Sequence, residues 1–131
     1  MRSLLCTVLL AASASAQAEW LKVAEAAGTT YALDTASVVE EAGMRRATVR
    51  QDYAVVQADG ARSRDVRYDV DCGGERLRSV AATGYAEPAG QGRRVSAWEA
   101  TSEWLYVAQR TGSSIARATP YRAVVRAVCA R

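Results

Sequence analysis

Residues 65–74 read Asp-Val-Arg-Tyr-Asp-Val-Asp-Cys-Gly-Gly. Val66, Tyr68, Val70 and Cys72 take one face, while Asp65, Arg67, Asp69 and Asp71 take the other. Alternation of this kind is the period of a half-buried strand. Gly73-Gly74 predicts a tight hairpin turn, and 76–85 returns as the partner strand. Leu77 and Val80 fall on opposite faces of that partner, so it is either buried on both sides or bulged. Upstream, 46–56 alternates again. Ala47, Val49, Tyr53 and Val55 oppose Arg46, Thr48, Arg50 and Asp52, and Asp59-Gly60 supplies the following turn. Further out, 20–24 and 29–33 form a hairpin around Gly28. A short turn through Ser37 and then Gly43 leads on from Asp34. Downstream, Pro88, Gly90 and Gly92 make 87–92 a loop, and a strand resumes over 93–98. Segment 103–109 fits a strand or an apolar loop equally well.

The period changes at the C-terminus. Tyr121, Val124, Val125 and Val128 stand at i, i+3, i+4 and i+7, one face of a helix. Thr119 suits the N-cap and Pro120 the first helical position. Arg122 and Arg126 fall on the opposite, wet face. Ser113 or Ser114 can cap a preceding turn through Ile115, which Pro120 would interrupt. The fold class expected is α+β: an antiparallel sheet of about five to six strands with a C-terminal helix on one face.

The chain has 131 residues, about one domain. It has no histidine, which excludes a Ser-His-Asp triad, a Cys-His pair and any histidine switch or metal site. The formal charge of +3 is too small for a dedicated nucleic-acid binder. Met1, Arg2, the apolar run 4–12 and Ala16-Gln17-Ala18 make a secretory signal peptide over 1–18. The run is shorter than the about 20 residues a membrane span needs. Cleavage after Ala18 would remove Arg2 and Cys6 and leave a single domain over 19–131. Ala14-Ser15-Ala16 offers a second cut. The remaining pair, Cys72 and Cys129, reads as a disulfide in an exported small domain, tying the last helix to the sheet.

Asp69 and Asp71 would stand about 7 Å apart on one strand face. That spacing suits an inverting glycosidase or a hard cation. Cross-strand pairing with Arg76 or Arg78 on a solvated face explains them more simply. Arg93 and Arg94 with nearby Trp98, presented by the 87–92 loop, form a candidate partner-binding patch, since arginine and tryptophan concentrate in interface hot spots. The competing reading is a charged edge strand that blocks aggregation, with Trp98 in the core. Trp104 and Tyr106 read as core aromatics, and Trp20 as packing under the sheet edge. Arg45, Arg46, Arg62, Arg64, Arg117, Arg122 and Arg126 read as solvated faces.

The ordered motifs resemble the surface-adhesin protein E family of bacterial envelope proteins. They begin with Trp20-Leu21-Lys22-Val23, then Tyr31, Asp34, Ala36, Ser37 and Val38, and Asp52-Tyr53. Asp71-Cys72 follows with Arg76 and Arg78, then Tyr85, Gly92, Trp104 and Val128-Cys129. The resemblance implies an antiparallel sheet carrying a C-terminal helix held by a disulfide, matching Cys72 and Cys129. It also implies a non-enzymatic protein that binds protein partners, among them host matrix or serum proteins, with no cofactor and no nucleic acid. Two departures stand out. The family's named adhesins look like lipoproteins, whereas this leader ends in A-x-A without a usable lipobox. The segment 106–120 also lacks the family's short proline-glycine turn. The periplasm is therefore the expected location, with the cell surface and the medium as alternatives. A structural or accessory periplasmic role is the competing function, and a homodimer is open.

Overall fold

The computed structural model describes residues 17–108 and 115–131. Nearly all of the leader expected over 1–18, with Cys6, and the Ser113/Ser114 cap lie outside the described residues.

Two hairpins open the chain: β1 (Trp20–Ala26) with β2 (Thr29–Asp34), and β3 (Val39–Glu41) with β4 (Met44–Tyr53). Each turns on two residues with positive φ, Ala27-Gly28 and Ala42-Gly43. That geometry matches the right-handed twist of the flanking strands. The short β3 carries no alternation and was not legible in the sequence. Its residues are all exposed, so nothing forces a pattern on them. β4 ends at Tyr53, opposite Thr29 where its neighbour β2 begins, and one last bond from Ala54 N–H to the Gly28 carbonyl closes the ladder. Val55, expected in the strand, is therefore 72% exposed.

β5 (Ser63–Asp71) and β6 (Arg76–Tyr85) form the central hairpin. Its turn is wider than Gly73-Gly74 alone. Asp71 lies opposite Arg76, so four residues connect the strands. Gly74 N–H donates to Asp71 Oδ1 at 3.0 Å, and Glu75 takes the positive φ of 48°. β6 is bulged. Arg67 faces Ala81 and Tyr68 faces Ser79, leaving Val80 as the extra residue. The bulge lets Leu77 and Ala82, five positions apart, both point into the core. β7 (Arg94–Glu99) adds to β6, and β8 (Leu105–Tyr106) pairs briefly with its start.

The sheet is antiparallel throughout, in the order β1-β2-β4-β5-β6-β7, with β3 on β4 and β8 on β6. α1 (Ile115–Cys129) covers one face, closest to β1 and β2. Val124, Val125 and Val128 are buried against Leu33, Val49, Val66, Val70 and Leu77. Tyr121 completes the stripe, with its ring edge-on to Tyr31 and Tyr68. α1 starts earlier than Thr119, so Pro120 sits inside it, buried. In the second turn, proline removes its own i→i−4 bond and leaves the rest of the ladder intact. Arg122 is not wholly wet: its Nε donates to the Val107 carbonyl at 2.8 Å. Cys72 and Cys129 form the disulfide. Arg45 of β4 adds a second tie, its Nη1 donating to the Val128 carbonyl at 2.8 Å and to the Arg131 carbonyl. A cation there complements the negative end of the helix dipole.

Candidate interaction surface

The sheet face away from α1 carries the charge. Register places its side chains in rows across the strands. Arg50 of β4 lies opposite Asp65 of β5 and binds it through both Nε (2.7 Å) and Nη2 (2.9 Å). Arg46 lies opposite Asp69, with Nε 2.9 Å from Oδ1. Asp69 also lies opposite Arg78 at 3.5 Å. Arg76 binds Asp71 at 2.8 Å. The expected cross-strand pairing of Asp69 and Asp71 with the β6 arginines is what the register delivers.

Their exposure differs from the sequence reading. Asp69 is 5% exposed. Glu41 of β3 meets Arg46 from one side at 3.3 Å, and Trp104 covers Arg78 from the other, the guanidinium 4.3 Å from the ring centroid. Asp69 is thus a buried carboxylate between two arginines. Asp71 stays near the turn, and the hydrogen bonds from Arg76 and Gly74 hold its carboxyl below the usual range.

The aromatics expected in the core lie on this outer side. Trp104 stacks over Arg76 (4.1 Å) as well as Arg78. Tyr106 is 47% exposed, and its hydroxyl accepts from Arg76 Nη1 at 3.2 Å. Trp20 stacks over Arg50 at 3.9 Å. Ring faces are attractive to guanidinium groups, and each arginine had already been placed by an aspartate. No periodicity in one segment reports such stacks, because the ring and the cation come from distant parts of the chain.

The 87–92 loop is held from below. Ser63, fully buried, donates to the Glu87 carbonyl (2.6 Å) and accepts from Gly90 N–H (2.9 Å). Asp52 accepts from Ala89 N–H at 2.6 Å. Gly90 has φ +67°, and a Cβ there would lie 2.5 Å from Arg50 Nη2. A side chain there would push the guanidinium from its place on Asp65, and the positive φ itself favours glycine. The loop therefore delivers Arg93 and Arg94 in a fixed position at the start of β7.

β7 has β6 on one side, and its other side is a sheet edge. Arg93 and Arg94 are exposed, and Trp98 is 40% exposed rather than buried. Arg94 lies opposite Tyr85, an outer-face position, whereas Trp98 lies opposite Ala82, whose side chain is in the core. A bulge at Val95 sets this phase. The structure thus places the arginine and the tryptophan on the two flanks of one strand, not side by side. Arg94 and Trp98 both border a hollow of about 340 Å³ along β6 and β7, with Arg67, Thr83, Ala97 and Glu99.

Beneath α1 runs a polar chain that the sequence did not signal. Arg64 donates to the Tyr53 hydroxyl, Tyr53 to Gln51, and Gln51 to the Tyr68 hydroxyl. Burial pushes the Tyr68 hydroxyl far above its ordinary pKa. At the chain's outer end, Arg64 and the Ala61 N–H draw the Asp59 carboxyl down to about 2. Gln51 is 8% exposed at a helix-side position of β4, and it serves as the link between two tyrosines.

The family profile of surface-adhesin protein E matches residues 20–130. The chain belongs to the surface-adhesin protein E family. It is similar in fold to Haemophilus influenzae protein E in crystal form II, with a TM-score of 0.59 and 19% identity over 95% of this chain and 97% of that one. A further structure of Haemophilus influenzae protein E aligns with a TM-score of 0.58 and 18% identity, covering 85% of this chain and 83% of that chain. No curated protein matches the sequence. The residues that carry the resemblance to the surface-adhesin protein E family hold definite posts. Trp20 and Trp104 cap arginine–aspartate pairs, Asp71 binds Arg76, and Cys72 joins Cys129.

Proposed function

We propose that the protein is an exported, non-enzymatic binding protein of adhesin type that meets protein partners through the β7 edge and the 87–92 loop. In this reading 1–18 is a cleaved signal peptide and 19–131 the working domain. One observation carries it: a free sheet edge begins at a loop pinned by Ser63 and Asp52, with Arg93, Arg94 and Trp98 exposed along it. An unpaired strand edge accepts an extended segment through main-chain hydrogen bonds, and alternate side chains supply specificity. Rigid presentation lowers the ordering cost of binding. A homodimer joined β7 to β7 would use the same edge and compete with a partner. The aspartates that could do acid–base work are tied up by arginines, which supports contact rather than catalysis.

The test is capture of purified host matrix and serum proteins by the mature, disulfide-bonded protein. Arg93→Ala/Arg94→Ala and Trp98→Ala should each weaken capture about tenfold or more, as hot-spot truncations do. Unchanged capture by both variants would remove the edge from consideration. The A-x-A leader favours a second reading, an accessory periplasmic protein contacting envelope components. If osmotic shock releases the protein while intact cells shield it from added protease, this second reading stands and the adhesin role falls.

A further inference from the structure

We infer that the outer sheet face carries a second contact site, a groove across the strands centred on Arg67 that receives an extended acidic segment of a protein partner. The inference rests on the reading of the chain as a binding protein and uses the sheet face beside the β7 edge, with Arg94 common to both.

Three rows of outer-face side chains define the groove. The first is Arg50, Asp65, Thr83 and Ala97; the second is Thr48, Arg67, Ala81 and Glu99; the third is Arg46, Asp69 and Arg78. In the first and third rows the arginines are paired, and Trp20 and Trp104 are stacked on them. The Arg50–Asp65 pair and the Arg46–Asp69–Arg78 cluster form walls about 14 Å apart, four residues along each strand. Between them, Thr48 and Ala81 flank Arg67, and Thr83 and Ala97 extend the low floor toward β7. Two hollows, of about 100 and 340 Å³, open along this floor and share Arg67, Ala81, Ala82 and Thr83.

Arg67 is exposed and, among the described residues, forms no ion pair or side-chain hydrogen bond. Its position makes that notable. Asp65 and Asp69 flank it on the same strand face. Register hands both to neighbouring strands: Asp65 to Arg50, and Asp69 to Arg46 and Arg78. Across the strands Arg67 lies opposite only Thr48 and Ala81, while Asp65 and Asp69 stand about 7 Å away on its own strand, already paired. Arg94, exposed and likewise unpaired, borders the same floor at β7.

Charge complementarity selects the occupant. A guanidinium fork takes a carboxylate through two hydrogen bonds, and a second carboxylate can reach Arg94. Small apolar side chains fit over Ala81 and Ala97. From β4 to β7 is three strand spacings, about 14 Å, the reach of roughly four to five extended residues. Asp65, Asp69 and Glu99 ring the site, so a densely charged polyanion meets repulsion that a peptide with separated carboxylates avoids.

The experiment is an NMR titration of the mature, oxidised, nitrogen-15-labelled protein. The probes are a short acetylated, amidated peptide with two separated aspartates, its asparagine isostere, and a heparin-derived oligosaccharide. The aspartate peptide should shift the Arg67 Nε–Hε signal and the amides of Thr48, Ala81 and Thr83. The isostere should bind about tenfold more weakly or worse, the loss expected for removing an ionised hydrogen-bond partner. Arg67→Gln should reduce aspartate-peptide affinity by a similar factor without altering distant shifts, and Arg62→Gln, at another exposed arginine, should not. Equal binding of the isostere, or full affinity in Arg67→Gln, overturns the proposal. So does an oligosaccharide that shifts the same signals at lower concentration than the peptide. No natural partner enters this titration, so its failure leaves the β7 edge untouched; Arg67 belongs to the groove alone and Trp98 to the edge alone, so Arg67→Gln and Trp98→Ala separate the two sites.

Discussion

Replacing both cysteines, Cys72→Ala with Cys129→Ala, tests what holds the helix to the sheet. The two residues are 57 apart in sequence. The chain-entropy relation for a loop of that size gives about 4 kcal/mol of stabilisation, acting on the unfolded chain. A domain of this length has about 5–15 kcal/mol in total, so the double variant should keep its fold with a much reduced margin. At roughly 4–8 °C per kcal/mol, melting should drop by about 15–30 °C. The native state should change little. Val124, Val125 and Val128 remain buried, and Arg45 still donates to the Val128 carbonyl. Urea unfolding followed by far-ultraviolet and near-ultraviolet circular dichroism separates the two cases. The folded far-ultraviolet spectra should superimpose, the near-ultraviolet spectra should differ only by the lost disulfide band, the free energy should fall by about 4 kcal/mol, and the m-value should rise because the uncrosslinked chain exposes more surface. A near-ultraviolet change confined to the tyrosines around Tyr121, with the sheet intact, would refute the reasoning. It would mean that the bond positions the helix instead of restricting the unfolded chain. A loss below about 1 kcal/mol would refute it from the other side.

Asp69→Asn should cost about 3 kcal/mol by urea denaturation, the low end for breaking a buried pair. The low end applies because the Arg46 and Arg78 side chains keep 32% and 27% of their exposure; Asp71→Asn, near the turn, should be much milder. Gly90→Ala forces a Cβ onto Arg50 at φ +67°. It should cost about 1–3 kcal/mol and speed amide exchange at Ala89 and Gly90, whereas Gly43→Ala, with open space around it, should cost backbone strain alone. Burial raises the hydroxyl pKa of Tyr31, Tyr53 and Tyr68 above the ordinary value of 10.0. Their contribution to stability is full below pH 10 and is lost as pH rises beyond it. Urea midpoints should therefore fall in alkali in step with tyrosinate absorbance, and Tyr31→Phe should flatten that slope. Asp59 is lowered to about 2 from 3.8, so its contribution is present above pH 3.8 and lost as pH falls toward 2; Asp59→Asn should remove that part of the acid limb.

What the sequence shows and what it hides divide along a physical line. Val66, Tyr68 and Val70 alternate with acids and arginines because one face meets α1, and a period of two records that directly. Val124, Val125 and Val128 record the matching helix face. Exposure on the other face depends on what covers it. Asp69 is buried between Arg46 and Arg78, which are met in turn by Glu41 and Trp104, from segments whose own patterns are short or irregular. Trp104 read as core because a tryptophan in an apolar stretch usually is; its actual partners, Arg76 and Arg78, lie on a strand it barely pairs with. Gln51 was silent because a polar residue at an apolar position announces no partner.

Register is the deeper gap, and Val80 shows why. In a regular β6, Leu77, Ala81 and Thr83 would share a face, since a one-residue shift reverses every side chain. The extra residue at Val80 changes the phase midway. Leu77 and Ala82 then face the core, while Arg76, Arg78, Ala81 and Thr83 face outward. The aspartates of β5 thus meet arginines at one end of the hairpin and small residues at the other. That difference leaves Arg67 unpaired above a low floor. The poor alternation of 76–85 in the sequence was the trace of this bulge. The mispatterned strand therefore determines the layout of the outer face, and the well-patterned one determines the core.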